Sequence, residues 1–422
     1  MASHSSPAAL TLLALLPACG ALPRLDAVPP ELTERAVIPG IPDARVWLDR
    51  DLGPFIETVI QDTNREVDAL RNAGKPTDPL PPAHALAISG GGDDGAFAAG
   101  ILCGWTAHGD RPEFKVVTGI SVGALIAPFA FLGSRYDDIL RTVATSTGSA
   151  DVLSQRNTLT GLMSDGMASS EPLSRLVAKY VTPDLLAAIE REFARGRVLQ
   201  IGTTDLDAGR QVTWNMGAIA SSHAPNALEL FRKIIVASTS IPGAVSPVLI
   251  DVDIDGRHFQ EMHVDGGVIS QVFLYPSSLL SELARAGRPL QREVHSYIIR
   301  NGRAQPDWSD TERHTLAIGA RAIRVLVQTQ GINDVRRLYQ IARHDDVDFN
   351  LAYIGPDFEQ PHPEEFDTAY MTALYEYAYG LSSSGRAWHK APPEETVTPP
   401  SPTGATTDRR GREATLLPAA PL

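Results

Sequence analysis

Two glycine-rich turns, each placed after a short apolar run and before a helical pattern, constrain the fold of this chain more than any other feature. The triple glycine Gly90-Gly91-Gly92 follows the apolar residues 85–88, and Gly119-Ile120-Ser121-Val122-Gly123 follows residues 114–118. An apolar strand, a tight turn and a helix, repeated in succession, are typical of parallel βαβ units. The spacing therefore predicts an α/β protein.

The rest of the chain continues this alternation of strands and helices. Further strands are predicted at 198–203, 211–214, 248–252, 259–264, 293–299 and 349–354. Helical patterns occupy 49–72, 96–107, 122–132, 172–180, 185–193, 227–237, 278–286, 313–327 and 367–379. The chain has no internal repeat.

The composition limits the kinds of molecule that the chain is expected to bind. The chain has 422 residues, of which 43% are hydrophobic, and this is enough to bury a sizeable core. Its net charge of −13 argues against nucleic acid as a partner, because phosphate binding needs clustered lysine and arginine. With only Cys19 and Cys103 present, no cysteine-based zinc site is expected.

The N-terminus has the pattern of an export signal. An apolar run at residues 8–18 ends at Cys19, and Leu16-Pro17-Ala18-Cys19 resembles a bacterial lipoprotein processing site in which Cys19 becomes lipidated. No lysine or arginine precedes the run, so an ordinary secretory signal or a cytoplasmic protein remain alternatives. We expect an exported protein or a membrane-anchored lipoprotein of the cell envelope.

Composition shifts divide the chain into five segments. We predict a signal segment at 1–19, a proline-rich tether at 20–48, a helical segment at 49–82, a catalytic domain at 83–390 and a disordered tail at 391–422.

The turn that carries Ser121 predicts a nucleophile. A sharp strand-to-helix turn exposes the serine hydroxyl above the sheet, and Gly119 and Gly123 avoid the clashes that side chains would make there. Serine is also a common helix cap, which is the alternative explanation of this residue. The matching strand and helix on either side favour the nucleophile.

The glycine loop at 90–95 suits an oxyanion hole, because its backbone N–H groups can surround a developing negative charge. It also fits the G-x-G-x-x-G pattern of dinucleotide-binding proteins. We disfavour that alternative because no acidic residue ends the next strand, and because Asp93 and Asp94 would repel a pyrophosphate.

A general base must accompany the serine. Of the 11 histidines, His295, His314, His344 and His362 are candidates, but none carries a recognisable motif. Asp265, followed by Gly266-Gly267, ends a strand-like run and can accept the serine proton directly if burial raises its pKa. An ordinary turn is the alternative at Asp265. His258 and His263 are five residues apart, which places them on opposite faces of a strand and argues against a shared metal.

The glycine loop, the serine motif and the late Asp-Gly-Gly together resemble the patatin-like phospholipase family over about residues 84–300. The resemblance implies a three-layer α/β/α sandwich with a mostly parallel central sheet, and a Ser–Asp dyad of Ser121 and Asp265. It also implies an oxyanion hole at Gly90, Gly91, Gly92 and Asp93, elbow glycines Gly119 and Gly123, and support from Gly266 and Gly267. Asp94 stands where the family usually has a basic residue.

The resemblance predicts a serine lipid acyl hydrolase of the phospholipase A or lysophospholipase type that uses no cofactor and no metal. The expected partners are a lipid or acyl-ester substrate and, through a lipid anchor, a membrane. The alternatives are a thioesterase or transacylase acting on soluble acyl carriers, a non-catalytic acyl-binding lipoprotein, and a histidine-dependent hydrolase. The sequence does not predict the oligomeric state.

Overall fold

The computed structural model describes residues 22–50, 52–152, 154–155, 165–288, 292–305 and 308–393. The predicted signal segment with Cys19 lies outside the described residues, as does nearly all of the predicted disordered tail.

Strands and helices alternate along the described chain. The strands are β1 (Arg45–Val46), β2 (Ala83–Ile88), β3 (Val116–Gly119), β4 (Ser154–Gln155), β5 (Gly166–Ser169), β6 (Val198–Asp205), β7 (Arg210–Asn215), β8 (Gly243–Val245), β9 (Val248–Ile254), β10 (Arg257–Asp265), β11 (Val294–Arg303) and β12 (Asp348–Ile354). The helices are α1 (Gly53–Asn72), α2 (Gly95–His108), α3 (Val122–Leu132), α4 (Asp137–Ser146), α5 (Ser149–Val152), α6 (Glu171–Tyr180), α7 (Pro183–Ala194), α8 (Met216–Ser221), α9 (Ala227–Ser238), α10 (Leu279–Arg285), α11 (Thr315–His344) and α12 (Thr368–Ser383).

The main sheet is parallel at its centre and antiparallel at one side. The order β6-β3-β2-β11-β12 is parallel throughout. β7 and β1 extend the sheet beyond β6 in antiparallel pairing, and the β9–β10 hairpin joins β6 through β10. The strands β4, β5 and β8 form a separate small sheet. The predicted α/β class with a mostly parallel central sheet is confirmed.

Both faces of the sheet are covered, which makes three layers. Along β2, Leu86 and Ile88 belong to the apolar cluster that includes α2, α3 and α12. Ala85 and Ala87 belong to the cluster on the other face, which includes the C-terminal half of α11. Parallel sheets are buried on both faces in this way, so their strands are almost wholly apolar.

Helix α2, which starts at the glycine loop, is held tightly against α12. A Cβ atom built on Gly100 would lie 2.3 Å from the carbonyl oxygen of Tyr375, and one on Gly104 would lie 2.5 Å from that of Tyr379. Only glycine permits this approach of the two helices. Cys103 lies on the same helix and is buried, and its thiol is in no disulfide.

Helix α11 differs most from the sequence prediction, which ended it at residue 327. The helix continues through Gly331 to His344. Glycine disfavours the helix interior, but here it makes room for the Arg300 guanidinium, which would lie 1.9 Å from a Cβ atom at position 331. The packing of Arg300 explains why glycine occurs in the middle of this helix.

Candidate active site

Ser121 lies in a strained turn between β3 and α3. Its backbone φ of 55° and ψ of −125° place a non-glycine residue in a conformation that side chains disfavour. Neighbouring backbone leaves no room for side chains: a Cβ on Gly119 would lie 2.4 Å from the carbonyl oxygen of Gly123, and one on Gly123 would lie 2.3 Å from that of Ile88. Strain held by close packing is typical of functional positions, and this is the geometry of a nucleophile elbow.

Asp265 ends β10 beside Ser121. The Ser121 side chain lies close enough to the Asp265 carboxyl to act on it as a hydrogen-bond donor, and the Gly267 N–H donates to Asp265 Oδ1 at 2.7 Å. Burial raises the pKa of Asp265 to about 6, although both hydrogen bonds act to lower it. A carboxyl with this pKa is mostly ionised at neutral pH and is basic enough to accept a proton.

The two glycines after Asp265 permit its approach to the neighbouring strand. A Cβ on Gly266 would lie 2.6 Å from the carbonyl oxygen of Gly202 in β6, and one on Gly267 would lie 2.9 Å from Asp265 Oδ1. The structure therefore brings together the two side chains that the sequence singled out.

The glycine loop lies beside the serine, but Gly90 does not fit the role predicted for it. Its N–H donates to the carbonyl oxygen of Gln271 at 3.0 Å, so it is not available to a substrate. Within the described residues, the N–H groups of Gly91 and Gly92 donate to no other residue. Glycine at position 90 instead allows the loop to lie close to Ser121, because a Cβ atom there would lie 3.2 Å from the Cβ atom of Ser121. The prediction of a Gly90 donor is therefore wrong.

The two acidic residues of the loop are both bonded toward α12. One Asp93 carboxylate oxygen lies 2.7 Å from His362 Nε2 and accepts the Phe366 N–H at 2.7 Å. Asp94 accepts the Tyr370 hydroxyl at 2.5 Å, and burial raises the pKa of Asp94 to about 6. The imidazole of His362 and the ring of Tyr370 stack at 4.0 Å. The loop is thus braced by hydrogen bonds where the family usually has a basic residue.

The other histidine candidates lie in separate surroundings. His295 contacts Asp348, His314 caps α11, and His344 contacts Asp345. Among the described residues, no histidine is hydrogen-bonded to Ser121. His258 is exposed and His263 is buried, which confirms that they lie on opposite faces of their strand.

Ser238, at the end of α9, is a site residue that sequence reasoning missed. Its hydroxyl oxygen accepts the backbone N–H of Ser121 at 3.0 Å and donates to the carbonyl oxygen of Gly202 at 2.7 Å. These bonds connect the strained turn to β6. The segment that follows α9 also contacts the site, because the Asp265 N–H donates to the carbonyl oxygen of Ser240 at 2.9 Å.

Gln271 and Asn301 are two further residues that the sequence did not indicate. The Gln271 side chain donates to the carbonyl oxygen of Gly267 at 2.8 Å, so Gln271 joins the aspartate turn to the glycine loop. Asn301 donates from its amide to the Ser89 carbonyl at 2.9 Å and accepts the Ala98 N–H at 3.1 Å. Asn301 thus fixes both the loop and the first turn of α2.

Three buried residues, Asp205, Glu261 and His263, place potential metal-ligating atoms within 4.8 Å of one another. Both ring nitrogens of His263 already have partners, Thr203 at 2.9 Å and Glu261 at 3.1 Å. Arg45 forms a buried ion pair with Glu261; burial acts to raise the pKa of Glu261, but the guanidinium holds it at about 2. The fixed charge of Arg45 would oppose a cation, so we interpret the group as an ion-pair network.

Exposed apolar side chains occur in the two chain segments that adjoin Asp265. Ile241 follows Ser240, and Val268 and Ile269 follow Gly267; all three are exposed large hydrophobic residues. Exposed apolar residues grouped beside a buried polar pair are typical of sites that bind an apolar ligand.

An elbow serine beside a buried carboxyl and a glycine loop is the arrangement used for acyl transfer by serine esterases. The model of the patatin-like phospholipase family matches residues 86–276, a range that contains the glycine loop, the elbow and Asp265. Residues 86–276, and with them the Ser121–Asp265 pair, are therefore similar to a patatin-like phospholipase domain.

The solved structures that match the chain have little sequence in common with it. VipD from Legionella pneumophila is 11% identical with a TM-score of 0.31, over 72% of this chain and 67% of VipD. Human GIVD cytosolic phospholipase A2 is 10% identical with a TM-score of 0.31, over 78% of this chain and 62% of that protein. The type III effector protein ExoU is 14% identical with a TM-score of 0.22, over 73% of this chain and 54% of ExoU. No curated protein matches the sequence.

Proposed function

We propose that the protein is a serine lipid acyl hydrolase in which Ser121 is the nucleophile and Asp265 is the general base. The observation that carries this proposal is the contact between the Ser121 hydroxyl and a buried carboxyl whose pKa is raised to about 6. At pH 7 about 90% of such a group is ionised, and it is a far stronger base than an exposed aspartate.

The reaction proceeds in two halves. The Ser121 oxygen attacks the ester carbonyl as its proton passes to Asp265, and the protonated aspartic acid then donates that proton to the leaving alcohol. In the second half, Asp265 accepts a proton from water, the water oxygen attacks the acyl-enzyme, and the proton returns to Ser121 as the fatty acid leaves.

The N–H groups of Gly91 and Gly92 are the donors that we assign to the oxyanion hole. Each such donor contributes ~3 kcal/mol to transition-state stabilisation in hydrolases of this chemistry. The bonds of Asp93 to His362 and Phe366 hold the loop from behind, so the donors are fixed before substrate binds. The substrate is a lipid ester whose acyl chain contacts Ile241, Val268 and Ile269.

Hydrolysis of p-nitrophenyl butyrate and of phospholipid, measured in parallel, tests the assignment. Ser121→Ala and Asp265→Asn should each lose at least about 100-fold in kcat. His344→Gln, at an exposed histidine that contacts Asp345 and is given no role in the site, is the matched control and should retain most activity. Near-normal turnover in Asp265→Asn together with loss in a histidine variant would show a histidine-dependent hydrolase instead.

The substrate class is tested with the same variants. A lipid hydrolase releases fatty acid from phospholipid or lysophospholipid, whereas a thioesterase or transacylase would prefer acyl thioesters. Binding of acyl ligands without turnover of any ester would identify a non-catalytic acyl-binding lipoprotein. We also propose export and lipidation at Cys19, which mass spectrometry of the protein from cell envelopes would detect as an acylated N-terminal cysteine.

A further inference from the structure

Helix α11 is much longer than the strands it connects. Its 30 residues span about 45 Å, whereas the 7 residues of β12 span about 23 Å. Among the side chains that the structure describes in this helix, those that contribute to the apolar core lie in the C-terminal half, at Val335, Leu338 and Ala342. The N-terminal half therefore extends beyond the sheet.

This N-terminal half projects at the same edge of the sheet as Ser121. β11 and β12 are parallel, so the helix between them runs back from the carboxyl edge, and its first residues lie at that edge. Ser121 follows the carboxyl end of β3 in the same sheet. Asp334 ties the helix to the site, because its carboxylate accepts the Gln271 N–H at 2.7 Å.

The projecting half is apolar and exposed. Its large apolar side chains lie open to solvent, with Leu326 68% exposed and Ile318 and Ile323 each 51% exposed. Val325 and Val327 are exposed as well. Exposed apolar surface of this extent, on one helix, indicates a surface that binds another apolar phase.

The charged residues of this half are all basic. Arg313 precedes the helix, Arg321 and Arg324 lie within it, and no acidic residue occurs between 313 and Asp334, whereas Asp310 and Glu312 lie between Trp308 and Arg313. At helical spacing, Arg321 and Arg324 lie on the side roughly opposite Leu326. Arg324 is 3.6 Å from Glu365, but both side chains are largely exposed, so this pair is weak and can exchange for a phosphate.

Trp308, which precedes the helix, is 88% exposed. Tryptophan beside an amphipathic helix with arginine on its polar face is typical of segments that lie in the interface of a bilayer. None of the described helices is long and apolar enough to cross a bilayer. Arginine charge complements an anionic headgroup layer, whereas the chain as a whole carries −13.

We propose that the N-terminal half of α11, together with Trp308, is the surface by which the protein docks onto a phospholipid bilayer that contains anionic lipid. Docking there turns the edge of the sheet that carries Ser121 toward the lipid. The delivery of substrate rests on the proposed function, but docking itself does not require Ser121 to be a nucleophile.

Vesicle binding tests the proposal without any chemistry. The full chain carrying Cys19→Ser and Ser121→Ala, which can be neither lipidated at Cys19 nor active through Ser121, is sedimented with phosphatidylcholine vesicles with and without phosphatidylglycerol. We expect binding that increases with phosphatidylglycerol and a blue shift of tryptophan emission that Trp308→Phe removes. Ile323→Glu with Leu326→Glu should weaken binding by about tenfold or more.

Leu25→Glu is the matched control, since Leu25 is also an exposed leucine but lies beside Gln260 of β10, a strand that joins the sheet at β6 and not at β11 or β12. It should bind like the parent, and a melting temperature for each variant excludes unfolding. Equal binding by the Ile323/Leu326 variant and its parent would overturn the proposal. The proposal would also be overturned if the parent formed a dimer and did not bind vesicles, and if the Ile323/Leu326 variant were a monomer. Vesicle binding without ester hydrolysis by the serine-containing chain would instead retain the docking surface and reject the proposed function.

Discussion

Asp265→Asn replaces a buried carboxyl by a neutral amide of the same size, and it should stabilise the protein at neutral pH. Burial raises the pKa of Asp265 from 3.8 to about 6. The gap between these two values corresponds to about 3 kcal/mol at 1.4 kcal/mol per pKa unit. The folded state holds the proton more tightly than the unfolded state does, so stability falls as pH rises from about 4 to about 6 and stays lower above that range.

The asparagine side chain does not ionise in this pH range, and its amide oxygen can still accept the Gly267 N–H. The free energy of unfolding of Asp265→Asn should therefore exceed that of the parent by up to about 3 kcal/mol at pH 7. The two proteins should differ little below pH 4. Urea unfolding at both pH values measures this difference. Burial also raises the pKa values of Asp62 and Asp94 to about 6, but their contributions are the same in the two proteins and cancel when the variant is compared with the parent.

Glu261→Gln is the control of opposite sign. The ion pair with Arg45 holds the pKa of Glu261 at about 2 despite burial, so its charge stabilises the fold at pH 7 and this variant should be less stable than the parent. The reasoning is refuted if Asp265→Asn is no more stable than the parent at pH 7 and shows the same dependence of stability on pH.

Three further predictions concern activity and packing. The ester kcat/KM should increase with pH with an apparent pKa near 6, because Asp265 must be ionised to accept the serine proton; a flat profile between pH 5 and 7, measured with p-nitrophenyl butyrate, would contradict this. Gly119→Ala should abolish soluble expression or activity, since its Cβ would lie 2.4 Å from the Gly123 carbonyl oxygen, and full activity would show that the turn relaxes freely. Asn301→Ala should lower the free energy of unfolding by about 2–4 kcal/mol, because it leaves buried backbone groups unpaired, and urea unfolding checks this value.

The sequence predicted those parts of the fold that depend on local patterns. Helix α3 occupies 122–132 as predicted, because an apolar run lies between glycines that allow a turn at each end. The end of α11 could not be predicted, because the space that makes Gly331 acceptable in a helix is filled by Arg300, a residue of β11. Such a contact appears only once the chain is folded.

The residues of the site also divide into those that a local motif indicates and those that depend on contacts between distant segments. Ser121 and Asp265 were found because each sits in a motif whose glycines indicate a tight turn. Asn301 was missed because its partner Ser89 is 212 residues away and both bonds involve backbone groups, which leave no mark in the sequence. The Gly90 donor was implied by the family resemblance of the loop, but the Gln271 carbonyl oxygen that accepts its N–H comes from a distant segment.

Covalent labelling with a fluorophosphonate, mapped by mass spectrometry, tests the central claim most directly. The reagent reacts only with a serine that a neighbouring base activates. We predict a single labelled serine at Ser121, no label in Ser121→Ala, and much slower labelling in Asp265→Asn at pH 7. Labelling of another serine, or labelling of Ser121 at the parent rate in Asp265→Asn, would contradict the account.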